Sequence, residues 1–296
     1  MKIRNYTRSD ATAVLRLWNT AGAQTMGYAP QSAEGLDALL LRHPDFSEKH
    51  SFVLTDADGV RGFVSGVTGD ALAQGRVRGY FSCLLLDPAA DSDENTALLL
   101  AALEDSFCAA GKSVAAVTCF NPVRLPWIIP STDGHQHNNM PGIPTDTALY
   151  RRMLALGWVE ATTEQAMHLD LSGFQYPEKM REKERKMAEN GYFVDWYREG
   201  VHQGVDEMVE SLNNSMWSEE IPPAAHNGMR LLVGLEGNTV AGFTGPVYPE
   251  PTGRGYFAGI AVGPSFQNHG LGSLLFYKLC REGLRRAVHV AVHGDK

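Results

Sequence analysis

Apolar residues recur at two spacings along this chain, and the spacings alternate. The alternation at 2–7 predicts a strand. Residues 10–21 repeat at helical spacing, with Ser9 or Asp10 as the cap and Val14, Leu15, Leu17 and Trp18 on the buried face. A second short helix is expected over 34–42, ended by Pro44. Strands follow at 51–55 and 62–67 around the turn Asp56-Ala57-Asp58-Gly59, and a longer one at 77–86. A helix over 95–110 stops at Gly111, an apolar strand covers 113–120, and a long proline-containing loop runs from 121 to about 145. Residues 147–156 read as helix, closed by Gly157, and 159–171 supply one or two strands.

The second half repeats this order. A highly charged segment, 176–189, reads as a linking helix with a solvated face. Then come a strand at 192–197, a helix at 206–217, strands at 229–235 and 240–247, a strand at 255–262 and a helix at 272–285. The segments 77–111 and 253–286 correspond as strand, turn, helix, so the chain repeats a supersecondary plan without repeating its residues. The expected domains are 1–172 and 173–296.

The turn in the second copy carries the chemistry. Ile260-Ala261-Val262-Gly263-Pro264-Ser265-Phe266-Gln267-Asn268-His269-Gly270-Leu271-Gly272-Ser273 takes an apolar strand through spaced glycines into a helix. Such glycines let backbone N–H groups turn toward an anion, and the helix N-terminus adds partial positive charge. No Gly-Lys-Ser/Thr closes the loop and no Gly-x-Gly-x-x-Gly is present, so neither a Walker loop nor a dinucleotide fingerprint fits. The stretch Gln267-Asn268-His269-Gly270-Leu271-Gly272 resembles the Gln/Arg-x-x-Gly-x-Gly/Ala pyrophosphate loop of the GCN5-related N-acetyltransferases (GNAT). The resemblance implies a mixed-sheet α/β fold (α+β mixed sheet) made of two tandem acyl-CoA N-acyltransferase-like domains. In the first copy the corresponding turn, Asp87-Pro88-Ala89-Ala90-Asp91-Ser92-Asp93-Glu94-Asn95, lacks glycine and carries four carboxylates, so that domain is expected to have lost the phosphate cradle.

The resemblance also implies acetyl-CoA as co-substrate and a small-molecule amine as acceptor. The amides of Gln267, Asn268, His269, Gly270, Leu271, Gly272 and Ser273 would hold the pyrophosphate. The backbone of Ile260, Ala261 and Val262 would pair with the pantetheine arm. A carboxylate commonly serves as base in this family, and Glu219, Glu220 and Glu250 are the nearest acids, in predicted loops. Tyr150, on the helix over 147–156, corresponds to a position where the family often carries a tyrosine acid, although packing explains a tyrosine there as well. Tyr256 is a candidate for the acceptor pocket or for core. His269 is expected to be a solvated loop residue.

In that family the glycine-loop helix is followed by a further strand, a helix and one or two more strands. Only 287–296 follow here, with Val288, Val290 and Val292 alternating as one short strand. The second domain is therefore expected to be incomplete, without the splayed strand and the helix that bears the tyrosine acid, unless another element completes its sheet. A non-catalytic acyl-CoA-binding or regulatory protein is the alternative to an N-acetyltransferase.

Composition narrows the partners. With a net charge of −8 the chain is a poor match for nucleic acid. No apolar run is long enough to span a membrane. Four scattered cysteines and an N-terminus without an apolar leader point to a cytoplasmic setting. His135 and His137, two apart in the long loop, are too few for a metal site without a third ligand, and no metal is expected.

Overall fold

The computed structural model describes residues 1–118, 120–128, 136–137, 142–250, 253–283 and 289–295. The chain divides into two units, one built on Met1–Glu164 and the other on Gln165–Gly294. Among the described residues no helix is long and apolar enough to cross a membrane.

The first unit holds a five-stranded sheet in chain order: β1 (Lys2–Asn5), β2 (Ser51–Asp56), β3 (Gly59–Thr68), β4 (Arg78–Leu86) and β5 (Val114–Ala116). All neighbours are antiparallel except β4 and β5, which run parallel because helix α3 (Asp93–Ala109) crosses between them. Ser92 starts α3 by accepting a hydrogen bond from the Asn95 amide at 3.2 Å, and Leu99, Leu103 and Phe107 bury its inner face. Helix α1 (Ala11–Leu17) packs on β3 and widens into a π-type segment, Trp18–Met26, that ends at Gly27. A short α2 (Ala33–Leu36), a two-stranded ribbon of β6 (Trp127–Ile128) and β7 (Gln136–His137), and α4 (Ala148–Ala155) complete the unit.

In the second unit, β8 (Glu164–Asp170) leads to α5 (Glu178–Glu189), β9 (Tyr192–Trp196), α6 (Val205–Glu210), α7 (Ser215–His226), β10 (Leu232–Glu236) and β11 (Thr239–Thr244). Strands β12 (Val247–Pro249), β13 (Arg254–Phe257) and β14 (Ile260–Val262), helix α8 (Leu271–Lys278) and strand β15 (His289–Asp295) follow. One four-stranded sheet has the order β14-β11-β10-β9 and the other β12-β13-β15-β8. Helix α8 covers one face of the first of these over Leu232, Ala241, Leu271, Leu274 and Leu275. The other face packs Val233, Val240 and Phe243 against α6 and α7 through Val209, Ile221 and Ala225.

Two expectations change. The strand expected over 255–262 is interrupted at Ala258 and Gly259, and its two pieces join different sheets. The helix expected over 206–217 is two helices, broken where Asn213 takes a positive φ of 50° and Asn214 caps α7 through the Trp217 amide. Helix α7 runs on through Pro222 and Pro223, because burial of Ile221, Ala224 and Ala225 offsets the hydrogen bonds those prolines cannot donate. Finally, the short strand expected within 287–296 is present as β15, and it is not alone in its sheet. β15 pairs parallel with β13, Arg254 opposite His289 and Gly255 opposite Val290, and β8 closes the sheet outside it. The completing element thus comes from upstream of the domain's first helix, which local patterning has no means of showing.

Candidate functional site

The two pieces of the interrupted strand make a fork. β13 continues into the sheet with β15, while β14 is the edge of the other sheet. Against β11, Gly263 N donates to Ala241 O at 2.9 Å and Gly245 N donates to Gly259 O at 3.3 Å. Antiparallel alternation then turns the amide and carbonyl of Ala261 toward Phe243, and those of Ile260 and Val262 toward the open edge. Of the three residues expected to pair with a ligand, Ile260 and Val262 turn their backbone to the open edge of the sheet, and Ala261 turns its own to β11.

The loop after β14 is shaped by two left-handed residues, Asn268 (φ 69°) and Gly270 (φ 84°). Gln267 ties it back to the strand, its Nε2 donating to Val262 O at 3.3 Å. Helix α8 begins at Leu271 with no side chain capping it, so the first-turn amides of Leu271, Gly272 and Ser273 remain available to an anion. Leu271 itself is buried and packs over Gly234, where a Cβ would stand 2.6 Å from its Cδ2, so the helix start is anchored on β10. Ser273 is exposed. His269 is exposed in the loop, and its ring stacks on Tyr192, with centroids 4.8 Å apart and planes 19° from parallel.

A residue that sequence reading missed stands over this loop. A Cβ on Gly270 would meet Lys183 Cε and Nζ at 2.5 Å, so the ammonium of α5 lies directly above the turn. Lys179, Lys183, Lys186 and Asn190 form one helical stripe and, with Glu182, Met187 and His269, line a cleft. The signal was the spacing of the lysines in a segment taken for a linker.

On the other side of the fork stand the acids. Glu219 and Glu220 lie on α7, not in a loop. Glu219 is exposed. Glu220 is half-buried and accepts a hydrogen bond from Tyr256 Oη at 3.1 Å, and Tyr256 stacks on Tyr248 at 4.7 Å. Burial first, then the Glu220 carboxylate, pushes the Tyr256 phenol well above its ordinary pKa. Glu250 has a different role: both its oxygens take hydrogen bonds of 2.7 Å from the guanidinium of buried Arg254. Trp217, also on α7, donates from Nε1 to Ala258 O at 3.3 Å and so braces the break in the strand.

Residues 195–295 match the Acetyltransferase (GNAT) family. The matched segment lies, but for its last residue, within the second unit. No curated protein matches the sequence. Solved structures match over 100% of the chain. A GCN5-related glucosamine N-acetyltransferase region of a fungal multi-domain GH3 β-N-acetylglucosaminidase is 17% identical, with a TM-score of 0.65. A GCN5-related N-acetyltransferase from Sphaerobacter thermophilus is 14% identical, with a TM-score of 0.58 and 86% of its own length covered. A tandem GNAT protein of the clavulanic acid biosynthesis pathway is 14% identical, with a TM-score of 0.54 and 90% covered. This chain spans only 37% of the fungal protein. The fold is therefore that of a tandem GNAT protein.

The GNAT fold of the first unit lacks a cradle. Its turn is a 3₁₀ segment, Pro88–Ala90, and Ser92 takes up the amide of Asn95 at the start of α3. Three of the four acids there are paired from within: Asp87 with Arg16 at 2.8 Å, and Asp91 and, at 2.7 Å, Asp93 with Arg152. Where β4 and β5 part beyond Tyr80 and Ala116, Asn121 Nδ2 donates to Phe81 O and Ser82 Oγ, both at 3.0 Å. Tyr150 lies in this unit on α4, with its hydroxyl donating to Glu160. His135 lies outside the described residues. Among those described, no three or more His, Cys, Asp or Glu are grouped to hold a metal ion.

Proposed function

We propose that the chain is an acyl-CoA-dependent N-acyltransferase that uses acetyl-CoA and whose second unit alone binds it. One observation carries the reading: the uncapped start of α8, reached through left-handed Asn268 and Gly270, adjoins a strand edge that faces Ile260 and the Val262 amide outward, while Gln267 occupies the Val262 carbonyl. An anion site beside a free β edge suits a ligand with a diphosphate at one end and amide groups along its arm. The loop amides from Gln267 to Ser273 bind the diphosphate, and Ile260 and Val262 hold the arm. Acetyl-CoA supplies the activated acetyl thioester.

The amide of Ile260, at the start of the open edge, polarises the thioester carbonyl. Glu220 is the group we assign to the acceptor's proton, since an amine attacks only when neutral, and its half-buried carboxylate is held by Tyr256 at the fork. Glu250 is excluded from that role by its bidentate pair with Arg254. The acceptor is an amine, and the fungal region's name makes amino sugars the first to try.

Calorimetric titration of the full chain with acetyl-CoA, followed by a thiol-release screen over polyamines, amino sugars and amino acids, tests the reading. Micromolar binding and CoA release with one amine class are expected. Binding without turnover on any amine would favour a non-catalytic acyl-CoA-binding protein, and no binding would sink both.

A further inference from the structure

We propose that Lys183 is a ligand for the donor's diphosphate, supplied by a helix outside the glycine loop, and that Lys179 and Lys186 carry the same cationic stripe to the donor's remaining phosphate. The inference rests on the reading of the second unit as an acyl-CoA site.

Helix α5 precedes residue 195, where the family match begins, so these lysines are an addition to the matched segment. The helix is not a loose tether. Met180 and Met187 are buried against the core that α8 shares, and Glu184 holds Lys278 of α8 while accepting a hydrogen bond from Tyr176 at 3.1 Å. That docking turns the stripe at 179, 183 and 186 toward the glycine loop, and it leaves the Lys183 ammonium over Gly270. Among the described residues neither Lys179 nor Lys183 has an ion-pair partner, while Lys186 pairs with Glu182 at 3.0 Å. Three lysines therefore face one glutamate beside an uncapped helix start, in a chain whose net charge is −8. Among the described residues the Lys179 and Lys183 ammonium groups have no protein anion to serve, and a phosphate-bearing ligand would meet them and the loop amides at once.

The two phosphate groups of the assignment separate by chemistry. Dephospho-CoA keeps the diphosphate and lacks the 3′-phosphate. In calorimetric titrations, Lys183→Gln is expected to weaken acetyl-CoA and dephospho-CoA by a similar factor, about tenfold. The double variant Lys179→Gln/Lys186→Gln is expected to weaken acetyl-CoA about tenfold and dephospho-CoA less than twofold. Unfolding midpoints report that the variants remain folded, and Lys183→Arg is expected to restore most of the affinity. Wild-type binding that Lys183→Gln leaves unchanged for both ligands overturns the assignment of Lys183 and leaves the donor site standing. A wild-type chain that binds neither ligand overturns the donor site itself.

Discussion

Asn121 Nδ2 donates to the carbonyl of Phe81 at 3.0 Å, so where β4 and β5 part a side-chain amide takes up the backbone carbonyl of the first unit. The second unit leaves the comparable edge open at Ile260 and Val262. A side-chain amide bonds the backbone in one unit where the other leaves the Ile260 edge without a neighbouring strand. The two copies share a plan, and this difference, together with the missing glycines, is why donor binding is proposed for the second unit alone.

Asn121→Leu is expected to destabilise the first unit by about 1–3 kcal/mol, because Phe81 O and Ser82 Oγ lose a buried partner. Acetyl-CoA affinity should stay within twofold of wild type. Urea unfolding and calorimetry on one preparation check both, and a large loss of affinity in a folded variant would mean the first unit takes part in donor binding.

Gly270→Ala places a side chain at φ 84° and is expected to cost about 1 kcal/mol of strain. Gly270→Glu adds a carboxylate next to Lys183 Nζ, inside the cradle, and should abolish acetyl-CoA binding while the chain stays folded. Retained micromolar affinity in a folded Gly270→Glu chain would remove the loop from the donor site.

Glu220 and Glu250 should part company on mutation. Glu220→Gln is expected to lower kcat about a hundredfold with little change in stability. Glu250→Gln leaves buried Arg254 with a weaker partner, costing about 1–3 kcal/mol, with kcat changed less than threefold at temperatures where the chain is folded. Steady-state rates with the amine found by the screen, beside thermal unfolding, decide the pair. Equal rate losses would withdraw the assignment of the base.

Asp10 gives the first unit an acid-sensitive tie. Arg4 donates to its two oxygens at 2.7 Å and the Thr7 amide donates at 2.9 Å, which together hold its pKa below the usual carboxylate value near 3.9. A depressed native pKa stabilises above the unfolded value and loses that stabilisation as pH falls through the native one. With Arg4 half exposed, Asp10→Asn should cost only about 1 kcal/mol at pH 7. The gap to wild type should shrink below pH 4. Urea midpoints at pH 7, 4 and 3 read this directly, and a gap that holds constant to pH 3 would contradict it.

What the sequence determined was local. The strand–turn–helix order, the glycine at 270 and the lack of glycine in 87–95 fix backbone conformation within a few residues, so the left-handed turn into α8 and the different turn before α3 were legible in the residues. The tertiary structure decided whatever depends on partners distant in the chain. β8 and β15 meet in one sheet across more than a hundred residues, and the strand forks at Ala258 and Gly259 because its two halves find different neighbours. Glu220 meets Tyr256 from a helix well before it in the chain, and Glu250 is lost to Arg254. Lys183 showed its spacing in the sequence. Only the docking of α5 on α8 placed its ammonium above Gly270, since a helix's stripe acquires a direction only from what its other face buries.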